Sequence, residues 1–422
     1  MLDLLNSSFE DFAYIRYEVK RYLDAQPPEL RSPAELMVTG NQSLEMVEGY
    51  TRSREDLLET LEHIPPILPY KHMSGSFWAE RFVQSIDALQ QIALQNRGVP
   101  GRKNIIWVGH GGPSVNTAGS PWVDELDQYV RATTNLLVDA RMSLFVIYPG
   151  LEVSGGLSLS AMDAQVVLND TDPFAGDISF GVFANETGGK LFYNRNDVDE
   201  EMRESVRIGS EYYTLTYQPQ NSNDDGRFER IRVTLRDPNL RAVTKAGYFA
   251  PDKKAKIDPR QQTLLNMTEA TQSTVPYDAV ELKIAGIVRH PDSRAVELTV
   301  ELPQKGLGWL ATDNGWSNAD LMLSVASLNG NRDILASRVE GFTVSDNTTD
   351  QTRIAAAKAV QLTMTVRMPR KTQSVRVVVE ADASGRIGAA EVGRKVIDAA
   401  PAEPTPQPQL APRRPDAAPA SQ

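Results

Sequence analysis

Residues 104–116, "NIIWVGHGGPSVN", decide how this chain is read. Four apolar residues, Ile105 to Val108, run straight into Gly109-His110-Gly111-Gly112-Pro113-Ser114. A short apolar run without polar alternation is the pattern of a strand buried on both faces. The glycines that follow predict a tight loop at the carboxyl end of that strand, carrying one of only four histidines in the 422-residue chain. Such a loop can be an oxyanion-hole loop, a phosphate cradle or the rim of a metal site, and the rest of the sequence has to choose.

Working outward, apolar strands alternate with amphipathic helices. "MLDLL" reads as a strand, and residues 7–26 place Phe9, Phe12, Ile15, Val19 and Tyr22 at helical spacing behind Ser7 or Ser8 as a cap. "AELMVTGNQSLEMVEGY" predicts a hairpin turning at Gly40-Asn41, and "SREDLLETLEHI" a short capped helix. A longer helix leads to Gly98, and another follows the quoted loop. "SLFVIYP" and "KLFYN" are further strands, the second preceded by a short helix ending at Gly188-Gly189 and followed by a helix from Asn196 or Asp197. This alternation predicts an open, doubly wound, mostly parallel sheet over roughly residues 1–210. Three alternating strands, "YYTLTYQP", "FERIRVTLRD" and "RAVTKAGYFAP", are expected to complete this α/β domain at residue 251.

Residues 252–277 read as a linker. From 278 to 398 five segments alternate apolar and polar residues at period 2, which predicts an all-β, Ig-like sandwich. Residues 399–422 are rich in Pro and Ala and are expected to be disordered.

Composition narrows the chemistry. The formal net charge of −11 disfavours nonspecific binding to nucleic acid or anionic lipid. The absence of cysteine excludes disulfides, thiolate metal sites and a cysteine nucleophile. No apolar run reaches the roughly 18 residues of a membrane span. The start carries no signal-peptide pattern. Either the chain begins there naturally or an upstream part precedes it; the second is the expectation, since the first strand is entered with no lead-in.

Several motifs then occur in order: Leu2-Asp3-Leu4-Leu5-Asn6-Ser7, Gly101-Arg102-Lys103-Asn104-Ile105-Ile106-Trp107, Thr187-Gly188-Gly189-Lys190-Leu191-Phe192-Tyr193-Asn194, Tyr212-Tyr213-Thr214-Leu215-Thr216-Tyr217 and Ala246-Gly247-Tyr248-Phe249-Ala250-Pro251. Together they resemble bacterial VWFA-related proteins of the acidobacterial type, over residues 1–251. The resemblance implies a von Willebrand factor A-like, Rossmann-like fold and a metal-ion-dependent adhesion site that takes Mg²⁺ or another divalent cation. Hard cations want oxygen ligands and an open position for a partner's carboxylate. Carried over residue by residue, Asp3 matches the first aspartate and Ser7 the last serine of Asp-x-Ser-x-Ser. Thr51 is the candidate for the threonine. Leu5 stands where the middle serine belongs, and His110 where the later aspartate belongs, so the site is degenerate. Asn6, His110, Gly111 and Ser114 are its expected binding rim.

The rivals have weaker support. "GHGGPS" looks like an esterase oxyanion loop, yet the chain has no Gly-x-Ser-x-Gly elbow. It has no Walker A motif and no Gly-x-Gly-x-x-Gly after a strand. His63, His72 and His290 are isolated and read as surface or structural residues. The expectation is therefore a non-catalytic protein that binds an unknown protein partner. From the resemblance it belongs at the cell envelope, extracellular or periplasmic. Two alternatives stay open: a metal-free assembly scaffold in which the sandwich does the work, and a hydrolase using the His110 loop.

Overall fold

The computed structural model describes residues 1–40, 44–65, 75–112, 115–116, 123–149, 177–195, 197–210, 212–216, 226–240, 242–250, 259–355 and 359–403. Six strands build the first sheet: β1 (Leu2–Asp3), β2 (Glu29–Thr39), β3 (Leu44–Ser53), β4 (Lys103–Val108), β5 (Met142–Pro149) and β6 (Lys190–Arg195). Their spatial order is β3-β2-β1-β4-β5-β6. All neighbours are parallel except the β2–β3 hairpin. The order reverses between β1 and β4, so the crevice above their carboxyl ends is the topological switch point, where open α/β sheets place their ligands.

The helices are α1 (Phe9–Asp24), α2 (Arg54–His63), α3 (Gly75–Asn96), α4 (Val123–Asp139), α5 (Phe180–Glu186), α6 (Val198–Ser210) and α7 (Pro259–Gln272). The strands' period of two splits their side chains between two cores. Val38, Val108, Phe145 and Ile147 pack with Phe12 and Ile15 of α1, Leu61 of α2 and Val198 of α6. Met37, Trp107, Leu144 and Val146 pack on the other face with Phe82 and Ile86 of α3, Val130 of α4 and Phe183 of α5. Burial on both faces explains why β4 and β5 carry almost no polar residues.

Two expectations need correction. The linker read at 252–277 contains α7, which buries Met267 and Ala270 in the core shared with α3, α4 and α5 while leaving Leu264 and Leu265 exposed. Its apolar residues do not form one stripe, so the sequence carried no helical period. The three strands expected between 212 and 251 reduce, among the described residues, to an antiparallel pair, Phe228–Arg230 with Gly247–Phe249. Residues 212–216 are unpaired by any strand and Tyr213 is 97% exposed.

Beyond α7 the described residues are all-β apart from two five-residue helices, Gln351–Ala355 and Arg394–Asp398. Its main strands are β7 (Lys283–His290), β8 (Ala295–Leu302), β9 (Ser317–Leu328), β10 (Ile334–Asp346), β11 (Val360–Arg367), β12 (Ser374–Ala381) and β13 (Arg386–Gly393). One antiparallel sheet is β7-β8-β11. In the other, β10 and β12 flank β9 and β13 flanks β12. Val296, Leu298 and Val300 of the first sheet meet Leu321, Leu323, Val377 and Val379 of the second in one apolar core, as in a β-sandwich. The two units share packing. Tyr277, Val378 and Ile387 belong to the same core as α3 and α7, and Arg386 donates to the Gly98 carbonyl at 3.0 Å.

Candidate functional site

Above the switch point lie the loop after β1, which leads into α1, and the loop Gly109–Gly112 after β4. Asp3 sits between them, fully buried. Its carboxylate accepts six hydrogen bonds. Oδ1 takes the Asn6 amide N–H at 3.0 Å, Asn6 Nδ2 at 3.1 Å and Thr39 Oγ1 at 3.0 Å. Oδ2 takes Asn6 Nδ2 at 3.1 Å, the Trp107 indole N–H at 3.1 Å and the Gly111 amide at 2.7 Å. A carboxylate offers about four lone-pair sites, so the set is saturated by donors from four segments. Arg81 of α3 is buried nearby. Burial lowers its guanidinium pKa, with the Asp3 carboxylate pulling the other way.

The glycines of the loop have a steric reason. Gly109 has φ +139°, and a Cβ there would lie 2.4 Å from the Asp3 Cβ. Gly111 has φ +69°, and a Cβ there would lie 2.8 Å from the Phe180 ring. The loop can approach Asp3, and lend it an amide, only without side chains at these positions.

His110 turns away from Asp3. Its Nε2 is 3.5 Å from Asp11 Oδ2 and its ring packs 4.2 Å from Tyr148, which in turn lies 5.2 Å from Tyr193. Tyr148 and Tyr193 are cross-strand partners near the ends of β5 and β6, so the three rings line the sheet edge. Asp11 closes a capping box with Ser8 at the start of α1. Burial pushes the Asp11 carboxyl up, but hydrogen bonding to His110 and Ser8 outweighs it and holds the group below its ordinary pKa.

Of the residues singled out from sequence, Asp3, Asn6, His110 and Gly111 come together here. Ser7 does too, buried beside Gly109, its Oγ making no hydrogen bond among the described residues. Thr51 does not. It lies opposite Ala34, five residues before Thr39 along β2. There it donates to Asp56 at 3.1 Å and accepts the Ser53 amide at 3.0 Å, in the cap of α2. Thr39, at the carboxyl end of β2 and paired with Asp3, is the threonine that reaches its carboxylate. Ser114 lies outside the described residues. Sequence reading also missed Trp107, Arg81 and Asp11. Trp107 stood inside the quoted strand, but only the partner's position reveals what its indole N–H is for.

A divalent cation is poorly matched by this donor set. Both Asp3 oxygens are taken, the middle position is the buried Leu5, and a guanidinium lies close by. Among the described residues no group of three or more His, Asp or Glu side chains is placed to share a metal ion.

No family model matches the chain, and no curated protein matches it. A solved structure of an uncharacterized membrane spanning protein from Vibrio fischeri is similar at 16% identity, over 49% of this chain and 94% of that one, with a TM-score of 0.16. A TM-score so low carries no argument about fold or function. No helix among the described residues is long and apolar enough to cross a membrane.

Proposed function

We propose that residues 1–251 form a von Willebrand factor A-like interaction domain that works without a metal ion. It presents the carboxyl edge of its parallel sheet to a protein partner, at or outside the cell envelope, and performs no catalysis. The placement at the envelope rests on the sequence resemblance. The observation that carries the reading is the saturated Asp3 carboxylate beneath an aromatic edge. Five internal donors do the organising that a cation does in an intact adhesion site. Above them, His110, Tyr148 and Tyr193 form a half-buried strip, and Phe9 in the first turn of α1 is 50% exposed. Aromatic side chains at a rim supply large contact area with few rotors to freeze, as interface anchors do.

The test is calorimetric titration of Mg²⁺, Mn²⁺, Ca²⁺ and Zn²⁺ into chelator-treated full chain, with Asp3→Ala and Ser7→Ala alongside. The expected result is no cation binding that depends on Asp3 or Ser7, and thermal unfolding that chelator leaves unchanged. Saturable Mg²⁺ binding lost in both variants would restore the metal-dependent adhesion site. Zinc binding lost in His110→Ala would instead mark a repurposed metal centre.

A further inference from the structure

A cavity of about 300 Å³ opens at one end of the sandwich, lined by Arg289, His290, Arg294, Arg370, Arg394 and Asp398. It lies between the β7–β8 turn, the end of β11 and the helix Arg394–Asp398. Four arginines and one acidic residue thus line it, in a chain whose formal net charge is −11.

These cations are not all used by the fold. Arg289 donates to the Ala400 carbonyl at 2.9 Å, and Arg394 to both Asp398 oxygens at 2.9 Å. Among the described residues neither Arg294 nor Arg370 is paired with a carboxylate. Arg294 has φ +51°, a left-handed conformation in which Gly or Asn is the ordinary choice. His290 is 2% exposed, and its Nε2 makes no hydrogen bond among the described residues; the Glu297 carboxylate is 3.7 Å away. Its Nδ1 lies 3.1 Å from the Glu403 carbonyl oxygen, so Nδ1 carries the proton and donates.

We propose that this cavity binds a small phosphate-bearing anion. The planar guanidinium fork matches phosphate oxygens two at a time, which an ammonium does not. His290, buried in the lining with its Nδ1 held by the Glu403 carbonyl, adds a polar ring to the wall. The volume is at the small end of ligand pockets, which favours a compact phosphate over a nucleic acid backbone. The site is on the sandwich and is independent of the interaction edge of the α/β unit.

The experiment titrates inorganic phosphate into the full chain at constant ionic strength in chloride buffer. A parallel arm uses citrate, and the variants are Arg294→Gly, Arg370→Gln and their combination. Both side chains are exposed and unpaired, and glycine suits the backbone of residue 294, so circular dichroism and phosphate-free unfolding should match the parent. The expected result is saturable phosphate binding, weakened at least tenfold in the double variant. Absence of saturable phosphate binding overturns the proposal. So does binding indifferent to both substitutions, and so does saturation by citrate with phosphate silent, which would mark a carboxylate site.

Discussion

Asp3 and Asp87 are acidic side chains of the same α/β unit held in opposite ways. Asp3 stands where strand ends and glycine loops converge, and it receives backbone and side-chain donors from the β1–α1 turn, β2, β4 and the loop after it. Asp87 stands on α3 facing α7, where burial and the neighbouring Glu269 push its pKa up to about 7. Glu380 on β12 is likewise pushed up to about 7 by burial, with Arg97 at 3.6 Å opposing the shift. Amides inside a helix or sheet are spent internally, so backbone donors for a carboxylate come from loops at strand ends, as those of Asn6 and Gly111 do for Asp3. The edge of the sheet is therefore built on a carboxyl group ringed by donors, whereas burial at the contact with α7 and the sandwich pushes its acids up.

The largest effect should come from removing the edge's centre. Asp3→Ala leaves the Trp107 indole, Thr39 hydroxyl and Gly111 amide buried without their acceptor, and should cost roughly 3–5 kcal/mol in denaturant unfolding. A loss below about 1 kcal/mol would break the comparison. Gly109→Ala follows. The left-handed backbone and the 2.4 Å approach to Asp3 should together cost roughly 2–4 kcal/mol.

The Asp87 contact should answer to pH instead. With a folded pKa of about 7 against an ordinary value of 3.8, the folded state holds a proton that the unfolded state releases between those two values. Stability from this group is thus greatest below the unfolded pKa and falls as pH rises through the window. Asp87→Asn should flatten that slope and raise the unfolding temperature at pH 7.5, by roughly 1–3 kcal/mol equivalent. An unchanged pH profile would show that the acid is solvated after all. The smallest effect is Thr51→Ala, expected within about 0.5 kcal/mol and silent in any assay of the sheet edge.

Much of this arrangement could be read from residues alone, unevenly. "IIWV" and "SLFVIYP" announced strands covered on both faces, because continuous apolarity is a local signal. The alternation in "RAVELTVELP" and "QSVRVVVEADASG" announced half-buried strands equally well. Helix α7 escaped because Met267 and Ala270 bury while Leu264 and Leu265 do not, leaving no stripe to see. Thr39 escaped because nothing local marks it; only its parallel pairing with Asp3 brings its hydroxyl to the carboxylate.

The sequence by itself determined the alternation of elements and the glycine loop after β4. Those follow from residue identity and near-neighbour periodicity. The tertiary structure decided what Asp3 is for. Its acceptors are filled from residues 36, 104 and 108 positions away, and a carboxylate's commitments depend on which donors the folded chain brings within 3 Å or so. The same holds for the arginines at the end of the sandwich. In the sequence they are scattered surface charges. In the fold a turn, a strand end and a short helix set them around one cavity.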